Sequence, residues 1–249
     1  MIQHLLNQKS QMLMDAKDDH ENTFLHWAAV TNKPNHLKKL LEIEGMDVHA
    51  KNKYGDTALH FAACEGNLKQ MQLLLSIKGI DVNIKNKDGD TALHLAVYAN
   101  HLDIVQALLC QPLVGVNIQG KDGLTPLHLA AYQGHIEVVK ILLNVKNIKP
   151  NAKDKDGNTP LHMAAYQGYI EVAKILLAIP SIDINEKNNY SSTALHLATC
   201  QAHLELSKLL LKAKSINVHI KNQYNQTPLD IAKWSFYHEY VDQLRQAYA

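Results

Sequence analysis

Six histidines recur at intervals of 34 residues, at positions 26, 60, 94, 128, 162 and 196. Histidines in such number invite a metal-binding or acid–base reading, but their spacing argues against both. If each holds the same place in a repeated unit, successive copies stand about one helix-packing distance, ~10 Å, apart. The ligands of one zinc ion must all reach within about 2 Å of it. His60 and His196 each have a cysteine one helical turn on, Cys64 and Cys200, which is the spacing of a nucleophile and its base. After His94, His128 and His162 the same place holds Tyr98, Tyr132 and Tyr166, so cysteine is one filler of a variable position. The run His238-Glu239-Tyr240-Val241-Asp242 begins like a zinc-protease helix but lacks its second histidine. The sequence contains no glycine-rich phosphate loop. The expectation is a chain that is no enzyme, with no catalytic residue, no metal and no cofactor.

The elements that carry these histidines can be read locally. Each histidine closes a Thr-x-Leu-His tetrapeptide, starting at Thr23, Thr57, Thr91, Thr125, Thr159 and Thr193; a seventh copy, Thr227-Pro228-Leu229-Asp230, changes only the last residue. Threonine is a good helix N-cap, and Pro126, Pro160 and Pro228 fall at the first helical position, where a missing N–H costs nothing. A short helix follows, for example Leu127 to Gln133, with Ala130 and Ala131 allowing close packing and Gly134 ending it. A second helix carries Ile136, Val139, Leu142 and Leu143 at helical spacing. A polar loop then presents Tyr54-Gly55, Asp88-Gly89, Asp122-Gly123 or Asp156-Gly157, dipeptides that favour tight turns. The unit is helix, turn, helix, hairpin-like finger.

One such unit cannot bury its apolar stripe alone; stacked neighbours bury it for one another, and the end units need polar outer faces. The expected arrangement is a single domain over 1–249. It comprises a capping helix at 1–17, repeats at 18–51, 52–85, 86–119, 120–153, 154–187 and 188–221, and a C-terminal capping repeat at 222–249. Arg245, where earlier units have the second leucine of a pair, and Asp230 in place of histidine mark that last cap. Trp27, Phe61, Leu95, Leu129, Met163 and Leu197 share one position inside the first helix and are expected in the core.

Composition excludes other classes. With 20% charged residues and a formal net charge of +1, the chain lacks the basic excess that draws nucleic acid or anionic membranes. No stretch approaches the ~18 apolar residues of a membrane helix. Ile2, Leu5, Leu6, Met12, Leu13 and Met14 are interrupted by polar residues, an amphipathic helix and not a signal peptide. The three cysteines, at 64, 110 and 200, form neither a CxxC pair nor a disulfide framework. A reducing, cytoplasmic setting is expected.

The Thr-Pro-Leu-His-x-Ala-Ala motif, the glycine after the first helix, the Leu-Leu run and the Asp-Val-Asn loop together resemble the ankyrin-repeat family, over about residues 18 to 249. The usual unit of that family is one residue shorter than the 34 found here, the extra residue falling in the loop around Asn144 to Ile148. Tetratricopeptide repeats share the period, but their Trp-Leu-Gly-Tyr pattern is absent. The resemblance implies an all-α repeat solenoid, elongated and curved. It implies an interaction module, monomeric when free, that binds a protein partner through a concave face of fingers and first helices. It also implies that the repeated histidine ties each helix start to the adjoining loop. A targeting or scaffold subunit of an enzyme complex, including an effector delivered into a host cell, is the alternative.

Residues at the family's variable positions are the binding candidates. Seven residues after each threonine stand Val30, Cys64, Tyr98, Tyr132, Tyr166, Cys200 and Trp234, an aromatic line across consecutive units. Tyr54, Tyr190 and Tyr224 add aromatic finger tips. Tyrosine and tryptophan supply large, stiff contact area at binding hot spots. Lysines at 51, 53, 85, 87, 121, 153, 155, 187 and 221 crowd the fingers, with Lys53, Lys87, Lys121 and Lys155 candidates for steering an acidic partner. Asp56, Asp88, Asp90, Asp122, Asp154 and Asp156 offset most of that charge. Asn83, Asn117, Asn151 and Asn185 occupy the loop position that the resemblance marks for asparaginyl hydroxylation, beside a plain turn-stabilising reading.

Overall fold

The computed structural model describes residues 12–234 and 241–242, leaving aside the side chain of Trp234. The expected cap positions 1–11 and Arg245 lie outside the described residues, as do residues 238–240 of the His-Glu-Tyr run. Residues 12–15 are helical. The chain divides into two compact units, Met1–Lys121 and Asp122–Ala249.

In the first unit, three helix pairs follow one another: α1 (Phe24–Val30) with α2 (Pro34–Leu41), α3 (Ala58–Glu65) with α4 (Leu68–Leu75), and α5 (Ala92–Tyr98) with α6 (Leu102–Leu109). The second unit holds α7 (Pro126–Gln133) with α8 (Ile136–Leu143), α9 (Pro160–Gln167) with α10 (Ile170–Leu177), α11 (Ala194–Cys200) with α12 (Leu204–Leu211), and α13 (Pro228–Trp234). Within each unit, first helices pack on first helices and second helices on second helices of the next repeat. Helices of seven or eight residues are too short to persist alone, so this stacking is what holds them.

Each first helix starts on an extended threonine whose backbone and hydroxyl both meet the histidine three residues on. At the fourth repeated pair, Thr125 N–H donates to His128 Nδ1 at 3.2 Å. The ring's other nitrogen then reaches across: His128 Nε2 lies 3.0 Å from the Asn158 carbonyl of the next repeat. His26, His60, His162 and His196 do the same to the carbonyls of Asp56, Asp90, Ser192 and Gln226. The resemblance implied this role, and the geometry shows it. His94 departs, bonding the Ile118 carbonyl. Its finger has Gly120 where others have Asn or Asp, and the Lys121 N–H turns to the Asp90 carboxylate instead. Asp230 closes the series: its Oδ2 accepts from both the backbone and the hydroxyl of Thr227. A carboxylate reproduces the inner half of the histidine's bonding and leaves no outward donor to be satisfied.

The core differs in two places from the sequence expectation. Leu25, Leu59, Leu93, Leu127, Leu161 and Leu195 and the paired alanines are buried as the pattern requires. In α8 the buried residues are Val138, Val139 and Leu142, whereas Ile136 is exposed and Leu143 half-buried. Trp27 is not core: it is 48% exposed. Phe61, Leu95, Leu129, Met163 and Leu197 are half-buried. The neighbouring alanines occupy the side where first helices approach one another, so the larger residues at this position face outward beside the fingers.

The fingers are turns, and among the described residues no strand forms; one isolated bridge joins Lys17 and Thr23. In the first finger, Asn52 N–H donates to the Asp56 carbonyl and Gly55 N–H to the Asn52 carbonyl. Asn52 Oδ1 also accepts the N–H groups of Tyr54 and Asp56. Except at Lys121, whose N–H goes to the Asp90 carboxylate, each finger is tied to the one before it by a backbone bond such as Lys87 N–H to the Tyr54 carbonyl at 2.9 Å. Gly55 has φ +81°, and a Cβ there would stand 2.9 Å from the Lys87 nitrogen. Gly55→Ala is therefore expected to lose about 2 kcal/mol, from left-handed strain with the contact added. Ala202, which follows α11 at φ 60° where three other repeats use glycine (Gly66, Gly134 and Gly168), should respond oppositely. Ala202→Gly is expected to gain up to about 1 kcal/mol. Urea unfolding of both variants checks the pair of signs; two losses would mean that backbone strain does not govern these positions.

Candidate functional site

Catalysis needs an available base, and the repeat leaves none at the two histidine–cysteine pairs. His60 has its Nδ1 against the Thr57 N–H and its Nε2 on the Asp90 carbonyl. His196 is held likewise by Thr193 and Gln226. Neither ring has a nitrogen left for its cysteine. Burial, with Glu65 nearby, pushes the Cys64 thiol above its usual range, away from the reactive thiolate. Burial also lowers the pKa values of His26, His60, His128 and His196, and brings His162 to about 4. These rings are neutral at pH 7. Among the described residues no group of three His, Cys, Asp or Glu could hold a metal. None of the described helices is long and apolar enough to cross a membrane.

The finger residues are mostly committed to neighbouring repeats. Lys51, Lys85 and Lys153 donate through Nζ to the carbonyls of Lys85, Gln119 and Lys187, one repeat on. Lys121 pairs with Asp88 at 3.7 Å and Lys155 with Asp122 at 3.2 Å, both well exposed, so each pair is worth little. Lys87 is exposed. Lys53 Nζ lies 5.6 Å from the Tyr54 ring centre, and that ring also packs against His20. The loop asparagines act as staples. Asn83 donates to the Leu113 carbonyl and accepts the Gly115 N–H. Asn151 and Asn185 bridge in the same way to Ser181 and Asp183, and to Ser215 and Asn217. Asn117 is half-buried.

The tyrosines stand open. Tyr98 is 61% exposed in the first unit; Tyr132 and Tyr166, at the ends of the packed helices α7 and α9, are 39% and 44% exposed in the second. Tyr190 and Tyr224 are exposed and line one groove with Leu197, Cys200 and Ile231. Trp234 ends α13, and its side chain lies outside the described residues.

Two grooves were not foreseen from the sequence. In the first unit, Trp27, Phe61 and Leu95 form one of about 560 Å³, rimmed by Asp56 and Glu65. The available signal was that this helix position varies between repeats (Trp, Phe, Leu, Leu, Met, Leu) while the leucine two residues earlier does not. In the second unit, second helices form a shallow groove of about 610 Å³ with Tyr169, Ile170, Leu209 and Lys174 in its walls.

Known proteins place the chain. A family pattern described as "Ankyrin repeats (3 copies)" matches residues 25–118, 109–188 and 179–249. The search of curated proteins found no match to this chain. The crystal structure titled as the ankyrin repeat domain of Bcl-3, "a unique member of the IkappaB protein family", is similar at TM-score 0.80 and 27% identity. That match covers 91% of this chain and all of the other. Seven repeated caps, paired short helices and these matches agree, and the chain belongs to the ankyrin-repeat family, whose repeats are protein-interaction modules.

Proposed function

We propose that this chain binds a protein partner through the face built from finger loops and first helices. The observation that carries the reading is the exposure of Tyr98, Tyr132 and Tyr166 at one repeat position, on helices whose opposite sides are fully buried alanine and leucine. The fold buries only part of each of these rings, whereas a binding surface gains stiff contact area from them at small entropic cost. The finger lysines supply rim charge, mostly paired, so their part is orientation and encounter rate. The committed histidines favour binding over chemistry.

A photo-crosslinking amino acid placed at position 132 or 166, with position 140 on the outer side of α8 as control, tests the face. Crosslinks to the same protein from 132 and 166, and not from 140, are expected in the native cell. Crosslinks only from 140 would put the partner on the second helices.

A further inference from the structure

The Trp27–Phe61 groove combines aromatic walls with two carboxylates. Its aromatic walls are fixed. Trp27 Nε1–H donates to Asp18 Oδ2 at 3.0 Å, and the Phe61 ring meets His26 edge-on, with centres 5.2 Å apart and planes at 74°. Two carboxylates line it, Asp56 and Glu65, and no lysine or arginine does. Asn86 Nδ2 donates to Asp56 Oδ1 at 2.8 Å, which holds that carboxylate in place. His60, also in the wall, is buried and held neutral by that burial, so it brings no opposing charge. Three of the finger lysines are engaged elsewhere: Lys51 Nζ donates to the Lys85 carbonyl, Lys85 Nζ to the Gln119 carbonyl, and Lys53 lies over Tyr54, whereas Lys87, next to the lining Asn86, is exposed. The Tyr190–Tyr224 groove of the second unit has no charged residue in its lining.

We infer that the Trp27–Phe61 groove receives an arginine side chain from the partner. The inference rests on the finger-and-first-helix face being the binding face, and names what the first unit reads there. A guanidinium is planar and weakly hydrated: it can stack on an aromatic face while its edge N–H groups donate to carboxylates. Rings beside two acids offer both contacts at once. A lysine ammonium can approach a ring or a carboxylate but matches neither shape. A trimethylated ammonium has no N–H for Asp56 or Glu65 and relies on aromatic faces alone, of which this groove has two. The volume of about 560 Å³ falls within the range of small-ligand sites and exceeds what one side chain needs, leaving room for flanking backbone.

The test titrates the full chain with the peptide acetyl-Gly-Ala-Arg-Ala-Gly-amide and follows the Trp27 indole N–H by NMR. The chain has two tryptophans, so Trp234→Phe assigns the resonance. A saturable shift is expected with arginine. Binding should be at least tenfold weaker with citrulline, which keeps the shape and loses the charge, and weaker with lysine or trimethyllysine. The double variant Asp56→Asn with Glu65→Gln should lose at least tenfold for the arginine peptide. Its melting should stay near that of the parent, since Asn can still accept from Asn86. No shift with arginine, equal binding of citrulline or trimethyllysine, or an unaffected double variant would each overturn the proposal. Crosslinks from positions 132 and 166 accompanied by no arginine response would remove this pocket alone; missing crosslinks would remove the binding face.

Discussion

Acidification from pH 7 to pH 5 is expected to destabilise the protein by more than about 2 kcal/mol, through the repeated histidines. An unfolded histidine titrates near 6.5. His162 in the folded chain titrates near 4, chiefly because it is buried. Its Nε2 bonds the Ser192 carbonyl, and a second proton at Nδ1 would face the Thr159 N–H, 3.2 Å away. Between the two values the unfolded chain binds more protons, so stability falls as the pH falls. It is fully present above about 6.5 and is lost progressively down to about 4. At pH 5 the shift of His162 alone corresponds to about 2 kcal/mol. His26, His60, His128 and His196 are displaced in the same direction by the same burial and add to it. Urea midpoints at pH 7 and pH 5 measure the total. His162→Gln should be less stable at pH 7, since it loses bonds to Thr159 and Ser192, yet show a smaller pH-dependent loss. Equal stability at pH 7 and pH 5 would mean that these rings are not held neutral.

Replacing Tyr98, Tyr132 and Tyr166 together by serine is expected to weaken binding of the crosslinked partner at least about 100-fold. One well-placed hot-spot tyrosine is worth ~2 kcal/mol or more on truncation, and each ~1.4 kcal/mol is tenfold in affinity. The rings are 39–61% exposed in the free chain, so the melting temperature should change little. Lys140→Ser is the matched control and should bind within a few-fold of the parent, because Lys140 is exposed and pairs only with Glu137. Lys174 is unsuitable, since it lines the groove between the second helices. Normal binding with a much lower melting temperature would show that the tyrosines serve packing. A loss of binding in Lys140→Ser would place the partner on the opposite side.

The two experiments draw on parts of the molecule that were unequally legible in the sequence. Period, helix starts and finger turns could be read directly, because each rests on chemistry within a few residues. Thr125 caps its own helix, Gly134 ends it in the left-handed conformation, and Gly55 allows the turn beside it. Even Asp230 was recognisable as the mark of a last repeat, since it departs from six histidines at one position. What only the stacking decided was the direction and employment of side chains. A helix of seven residues has a core stripe set by its neighbours, so Trp27 and Phe61 read as core until the alanines were seen to take the contact side. Lys51, Lys85 and Lys153 read as free charge, yet each reaches a carbonyl one repeat away. Asn83, Asn151 and Asn185 read as local turn residues and proved to bridge repeats. The acidic aromatic groove joins Trp27 to Asp56, Phe61 and Glu65, residues of two successive repeats. Such a site exists only once one repeat lies against the next, because no local rule of spacing relates residues that meet through packing across a repeat boundary.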